Sequence, residues 1–190
     1  MRYSVMLAMK KTATYAELAA LPSHLVGEII DGELIASPRP TLLHARASSR
    51  LGSELGGPFD RGKGGPGGWI ILDEPELHIV EQVLVPDVAG WRRERMPEMP
   101  DIESCELPPD WVCEVLSPGT AKIDRARKMR HYAAAGVRHV WLVDPMATTL
   151  EIYRLDGDGW RLVGTHAGEA TIRPEPFDAV DFELGSLWSR

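Results

Sequence analysis

The 190-residue sequence predicts an α/β (α+β) fold with a central mixed β-sheet flanked by helices, in a single domain over 1–190. Three observations predict it. WVCEVL and RHVWLVDP are apolar runs of strand length separated by a helix-patterned stretch, so they read as a strand–helix–strand crossover with parallel strands. LVGEIIDGELIAS instead places two strand-like halves around Asp31-Gly32, a dipeptide that tolerates the positive φ angles of a tight hairpin turn. TTLEIYRLDGDGW and RLVGTHA repeat that antiparallel signal, with turn residues over 156–159. Parallel and antiparallel pairs in one chain call for a mixed sheet.

The remaining elements follow in chain order. Residues 1–12 are expected to be a disordered N-terminal segment; the short mixed stretch before Lys10 and Lys11 lacks the charge order and cleavage site of a secretory signal, so an intracellular address is expected. Thr14 and Glu17 have capping-box spacing and predict a short helix that stops near Pro22. Leu42, Leu43, Ala47, Leu51 and Leu55 recur at helical spacing, which predicts a packed amphipathic helix over 41–55, closed by GGPFDRGKGGPGG. That glycine-rich segment lacks the Gly-Lys-Ser/Thr ending of a phosphate-binding loop and reads as a flexible surface loop. Strands are predicted over 69–72, 76–80 and 83–88, the last ending at Pro86-Asp87, and the charged, proline-rich 92–109 is predicted to be a loop. Thr120 stands where it can cap a helix over 121–135, and Gly136 where it can end it. The tail RPEPFDAVDFELGSLWSR is expected to hold a short helix or 3₁₀ turn and to pack on the sheet edge.

Composition narrows the function. Hydrophobic content of 44% and charged content of 26% match an ordinary globular protein, and no apolar run approaches membrane-spanning length, so a soluble, cytoplasmic protein is expected. A net charge of −7 argues against non-specific coating of nucleic acid, which relies on Lys and Arg at phosphates. It leaves a nuclease open, since a metal-dependent site concentrates carboxylates and basic residues still cluster at Arg92, Arg93 and Arg95 and over 122–130. Cys105 and Cys113 match neither a CxxC pair nor a zinc module and are read as structural.

Two acids stand in unusual places. Glu114 interrupts an apolar strand beside Val112, Val115 and Leu116, and Asp87 ends the strand before it. A carboxylate among buried aliphatics costs several kcal/mol unless it is paired, hydrogen-bonded or bound to a cation. Two such acids on adjacent strands would make an oxygen-ligand site for Mg²⁺ or Mn²⁺. Asp124, Lys128 and Tyr132 recur every four residues and share one helix face, which could look toward Glu114. A lysine there can orient a water and stabilise charge on a phosphate, whereas the alternative for Asp124 and Lys128 is a surface ion pair of little energetic weight. Two readings also stand for Glu28, a site acid or an exposed hairpin residue, and for His44, which either faces the site or does not. His131, His139 and His166 have no ligand spacing.

VPDVAGW, WVCEVLSPGTAKIDRARKMRHYAAAGV and RHVWLVDP, in this order, closely resemble the bacterial Uma-two family of restriction endonucleases, a branch of the PD-(D/E)xK nuclease superfamily. The resemblance runs from the LVGEIIDGELIASP hairpin to the EIYRL strand. It implies a restriction-endonuclease-like fold and Mg²⁺- or Mn²⁺-assisted hydrolysis of DNA phosphodiesters. Carried over, the Pro-Asp falls on Pro86-Asp87 and the second acid on Glu114, the metal pair; Glu28 matches the branch's accessory acid. Position 116 is leucine where the parent motif has lysine, and the lysine is matched instead in the following helix by Lys128, with Lys122 as the other candidate. A catalytically inactive module that keeps the fold, and hydrolysis of another phosphate ester, are the competing functions. Nucleases that cut both strands commonly act as dimers, and the C-terminal strands offer an edge for a homodimer.

Overall fold

The computed structural model describes residues 12–189, so the expectation for 1–12 lies outside the described residues except at Thr12. The chain begins with α1 (Tyr15–Ala19), whose capping box is complete: Thr14 accepts from the Glu17 amide and Glu17 reaches back to the Thr14 amide. β1 (Leu25–Ile30) and β2 (Glu33–Pro38) form the expected hairpin, with Asp31 and Gly32 at φ 55° and 73°. α2 (Leu42–Leu55) is capped by Thr41 and buries Ala47, Leu51 and Leu55. It departs from expectation at both ends. Leu42 is 90% exposed and not part of the packed stripe. The glycines after Leu55 do not close the helix but continue it as one π-helical turn, Gly56–Asp60, which buries Phe59.

β3 (Trp69–Asp73), β4 (Leu77–Ile79), β5 (Gln82–Leu84) and β6 (Val88–Arg92) come next. Asp87 therefore does not end the preceding strand; it enters β6, which the sequence reading had divided between a strand and a loop. Val80 and Glu81 turn at positive φ, which closes β4 and β5 into a short hairpin. The ladder then breaks at Val85-Pro86, where proline has no N–H to give. β7 (Trp111–Val115) is followed by a helical run of α3 (Ala121–Ile123), a π-helical turn (Asp124–Lys128) and α4 (Met129–Ala134). Thr120 makes no side-chain cap; its own amide donates to Ser117 Oγ at 3.3 Å. The run ends as predicted at Gly136, φ 77°, where Gly136 and Val137 amides donate to Ala133 and Tyr132 carbonyls in the Schellman pattern. β8 (His139–Asp144), β9 (Thr149–Asp156), β10 (Gly159–Ala167), β11 (Thr171–Ile172), β12 (Phe182–Glu183) and a 3₁₀ turn (Leu184–Leu187) complete the chain.

The larger sheet has the order β10-β9-β8-β7-β6-β3, and the smaller β2-β1-β5-β4. In the larger sheet only β7 and β8 run parallel, Trp111 facing His139 through Val115 facing Val143, which makes it the mixed sheet the crossover predicts. Alternation along β7 sorts its residues between two cores. Trp111, Cys113 and Val115 join α2, Trp69, Trp141 and Phe177 on one face; Val112 and Leu116 join Tyr132, Met129, Ile30 and Leu84 on the other. The tail packs across the first face and not on an edge: Phe177 contacts the rings of Trp69, Trp111 and Trp141 at 4.8–5.6 Å, and Leu184 and Leu187 are fully buried. Gly90 lies between Trp69 and Trp111, where any Cβ would come within 3.2–3.3 Å of their rings. Glu114, even-numbered in this alternation, points toward the helical run.

Candidate active site

Four elements and one loop converge on Lys128. The π-helical turn brings its ammonium to 2.8 Å from Glu114 Oε1 on β7, 3.0 Å from Glu28 Oε1 on β1 and 3.8 Å from Asp124 Oδ1 one turn earlier. It also donates to the Val85 carbonyl at 3.3 Å. The Val85 amide, left free by the broken ladder, donates to Glu28 Oε1 at 2.8 Å. Tyr132 Oη donates to Glu114 Oε1 at 2.5 Å. Lys128 and Glu114 are each 2% exposed, Asp124 4% and Glu28 8%, so Asp124 and Lys128 form no surface pair and Glu28 is no exposed hairpin residue. Lys122, the other candidate lysine, is exposed.

Asp87 adjoins this cluster, one step beyond the register pair Val88 and Cys113. Its Oδ2 accepts the Val115 amide at 2.7 Å, and its Oδ1 accepts from His44 Nε2 at 2.6 Å. His44 shares the inward face of α2 with Ala47 and Leu51, three and seven residues on. Its Nδ1 is buried with no hydrogen-bond partner among the described residues, so the ring meets the protein's polar groups through Nε2. Sequence spacing alone left His44 and the hydroxyl of Tyr132 without a role. Had the i+3 and i+7 relation of His44 to the apolar stripe been applied, it would have turned the ring inward.

The electrostatics follow from three buried acids sharing one lysine. Burial pushes the Glu114 carboxyl well above its usual range; Lys128 opposes this, while Asp124, Asp87 and Glu28 add to it. Burial also works against the charge on Lys128, but Glu114, Glu28, Tyr132 and Asp124 outweigh it and hold the ammonium well above its usual range. Asp124 is pushed up to about 6 by burial, against Lys128 and a hydrogen bond from Thr120. A carboxyl whose folded pKa exceeds its unfolded value of 3.8 loses stability as pH rises from about 4 to 6. A shift of this size, which already includes the opposing attraction to Lys128, corresponds to at most about 3 kcal/mol. Asp124→Asn is therefore expected to stabilise the protein by about 1–2 kcal/mol at pH 8 and by nothing below pH 4. Urea unfolding at the two pH values measures this, and an equal effect at both rules out the assigned cause.

The donor set has the chemistry a hard divalent cation needs: carboxylates in excess of the cations that balance them. Among the described residues no three His, Cys, Asp or Glu side chains already converge as a cage. Oε1 of Glu114 is engaged by both Lys128 and Tyr132, and the two oxygens of Asp87 by Val115 and His44. Mg²⁺ asks for one or two carboxylates and otherwise keeps its waters, which a pair from adjacent strands can supply.

The other basic groups singled out by sequence are mostly neutralised. Arg93 meets Asp60, Arg95 meets Asp110, Arg125 meets Glu151, and Arg127 binds Asp31 and Glu33. Cys105 and Cys113 are free, the second fully buried beside Glu114, and burial pushes its thiol up.

A mixed six-stranded sheet, a crossover helix lying over its acid-bearing strand, and a lysine buried among carboxylates define a restriction-endonuclease-like protein. The chain belongs to the Uma2 family, described as "Putative restriction endonuclease", whose model matches residues 13–185. The fold is similar to the crystal structure of a "putative nuclease belonging to DUF820" from Anabaena variabilis, with a TM-score of 0.73 and 22% identity over 93% of this chain and 97% of that one. No curated protein matches the chain. Among the described residues no helix is long and apolar enough to cross a membrane.

Proposed function

We propose that the protein is a metal-dependent DNA endonuclease of the PD-(D/E)xK type, in which Asp87 and Glu114 hold Mg²⁺ or Mn²⁺. The observation that supports this reading best is the placement of Lys128, whose ammonium meets both Glu114 and Glu28, while Asp87 immediately precedes the strand paired with that of Glu114. The lysine that the parent motif carries two residues after the second acid is replaced by Leu116, and the crossover helix returns a lysine to the same carboxylate. A bound dication supplies Lewis-acid stabilisation of a phosphate and an acidified water.

The chain's own residues have distinct tasks. Val115 N–H and the His44 ring hold the Asp87 carboxylate in one orientation. Tyr132 and Lys128 do the same for Glu114, and Glu28 gives the ammonium a second carboxylate that holds it in place. Lys128, held charged by its neighbours, positions a water and balances negative charge that develops on the phosphate.

Supercoiled plasmid incubated with the wild-type protein and Mg²⁺ or Mn²⁺ is expected to be nicked. EDTA, Asp87→Ala and Lys128→Ala should each abolish the nicking. Cleavage that persists equally in both variants removes these residues from the site, and a wild type that never cleaves favours a nuclease fold serving as an inactive module.

A further inference from the structure

We propose that Asp31, at the tip of the β1–β2 hairpin, is a positioning residue for Lys128, fastening the irregular helical run to the strands that supply the lysine's partners. Its catalytic consequence rests on the nuclease reading above; the positioning itself is a property of the fold.

Three side chains from one helical run meet this single carboxylate. Arg127 Nε reaches Asp31 Oδ2 at 3.0 Å, and Arg130 Nη2 and His131 Nε2 reach Oδ1 at 2.7 and 2.9 Å. Arg127 also meets Glu33 at 3.0 Å and donates to the Ile30 carbonyl, so it grips both sides of the turn. The Asp31 amide in turn donates to Gln82 Oε1 on β5 at 2.6 Å. The helical donors bracket Lys128 in the chain: Arg127 precedes it, and Arg130 and His131 follow. The elements joined at Asp31 are also those that hold the lysine. Glu28 lies three residues back on β1, and Val85, whose carbonyl accepts from Lys128, lies three residues beyond Gln82.

A fastener matters here because the run is not a regular helix. The Met129 amide donates to the Asp124 carbonyl, a five-residue step that fits one extra residue into the turn. Closing it to the regular four-residue step would rotate the residues after it by roughly a quarter turn against those before it, and Lys128 stands at the junction. Arg127 lies within the π-helical turn, Arg130 and His131 beyond it, and all three keep one carboxylate in reach only while the wide turn persists. An isolated surface ion pair contributes little, but one carboxylate shared by three donors, with His131 buried, is a network whose parts hold one another.

Asp31 also has a local task, since its φ of 55° belongs to the hairpin turn. Asparagine accepts that conformation as readily, so Asp31→Asn keeps the turn while removing the charge and one of the two acceptor oxygens. A residue that only formed the turn would tolerate the change.

The test reads Lys128 directly. Acylation by a water-soluble succinimidyl ester, followed by peptide mass spectrometry, compares buried Lys128 with exposed Lys122. In the wild type Lys128 should be protected. In Asp31→Asn its acylation is expected to rise at least about 10-fold, the factor that loss of one charge-assisted hydrogen bond gives a local opening, with Lys122 unchanged. Cys113, buried on the other face of the sheet, should stay unreactive toward a maleimide in both proteins, which makes the opening local. Asp181→Asn, which removes the surface pair with Arg173, should leave Lys128 protected. Single-turnover cleavage by Asp31→Asn should fall by a similar factor with Mn²⁺ affinity unchanged, because Lys128 moves and the proposed metal carboxylates do not. Lys128 as protected in Asp31→Asn as in wild type, Cys113 exposed along with it, or full cleavage despite its exposure each overturns the positioning role. A wild type that never cleaves removes the nuclease reading and leaves the acylation result to decide the positioning.

Discussion

Lys128→Met is expected to abolish cleavage and to destabilise the folded protein by about 3–5 kcal/mol at pH 8, because it leaves Glu114, Glu28 and Asp124 without the one cation that meets them among the described residues. The methionine fills a similar volume, so packing changes little and the loss is electrostatic. Glu114, Glu28 and Asp124 all lie within 3.8 Å of the ammonium, and Glu114 and Asp124 are already raised with the lysine present. Without it they must repel one another or take up protons. The destabilisation should therefore shrink as pH falls and the carboxyls protonate, and it should be greatest at alkaline pH. In the wild type the sign for the lysine is opposite: its pKa is raised, so its contribution is intact at neutral pH and lost only above the ordinary lysine range. Thermal melts at pH 5 and pH 8 read this directly, with a drop on the order of 10 °C expected at pH 8. A variant equally stable at both pH values shows that Lys128 does not hold the carboxylates.

Much of this site was legible because its residues break local rules. Glu114 is an acid in a strand otherwise made of Trp, Val, Cys and Leu, and nothing but a specific partner makes that tolerable. Lys128 was legible through its four-residue spacing from Asp124 and Tyr132, which survives the π-helical turn because the turn keeps these side chains on the sheet-facing side. The turn itself has no sequence signal. Nor does β6: VAGWR shows no clean alternation, since Gly90 stands where two tryptophan rings close over the strand, and so Asp87 was placed at the end of one strand when it immediately precedes another. The tail's position on the sheet face was equally hidden. Phe177, Phe182, Leu184 and Leu187 are spaced irregularly among prolines and acids, and only the aromatic cavity between Trp69, Trp111 and Trp141 makes them a unit. His44 illustrates a different limit. Its long-range partner, Asp87, is 43 residues away, and spacing within one helix can orient a side chain without saying what it meets.

Asp87→Asn isolates the metal from the scaffold. The amide oxygen of asparagine can still accept the Val115 N–H, so the strand contact at 2.7 Å is retained. What disappears is one negative charge, which is among those raising Glu114, and the second acceptor oxygen, which takes the Nε2–H of His44. The fold should stay within about 1 kcal/mol of wild type at pH 8, since the lost repulsion offsets the weakened contact to His44. A dication, in contrast, loses half of its proposed carboxylate pair. Mn²⁺ affinity, followed by electron paramagnetic resonance of the free ion, is expected to fall by more than about 100-fold, beyond the 10–100-fold typical of an outer partner such as His44. Cleavage should be lost in parallel at any attainable Mg²⁺ concentration. The pairing of unchanged melting with lost metal is the informative result, because a merely structural aspartate would show the reverse. Wild-type Mn²⁺ affinity in Asp87→Asn would falsify the assignment of this carboxylate to the metal and leave Glu114 and Glu28 as the acids to examine.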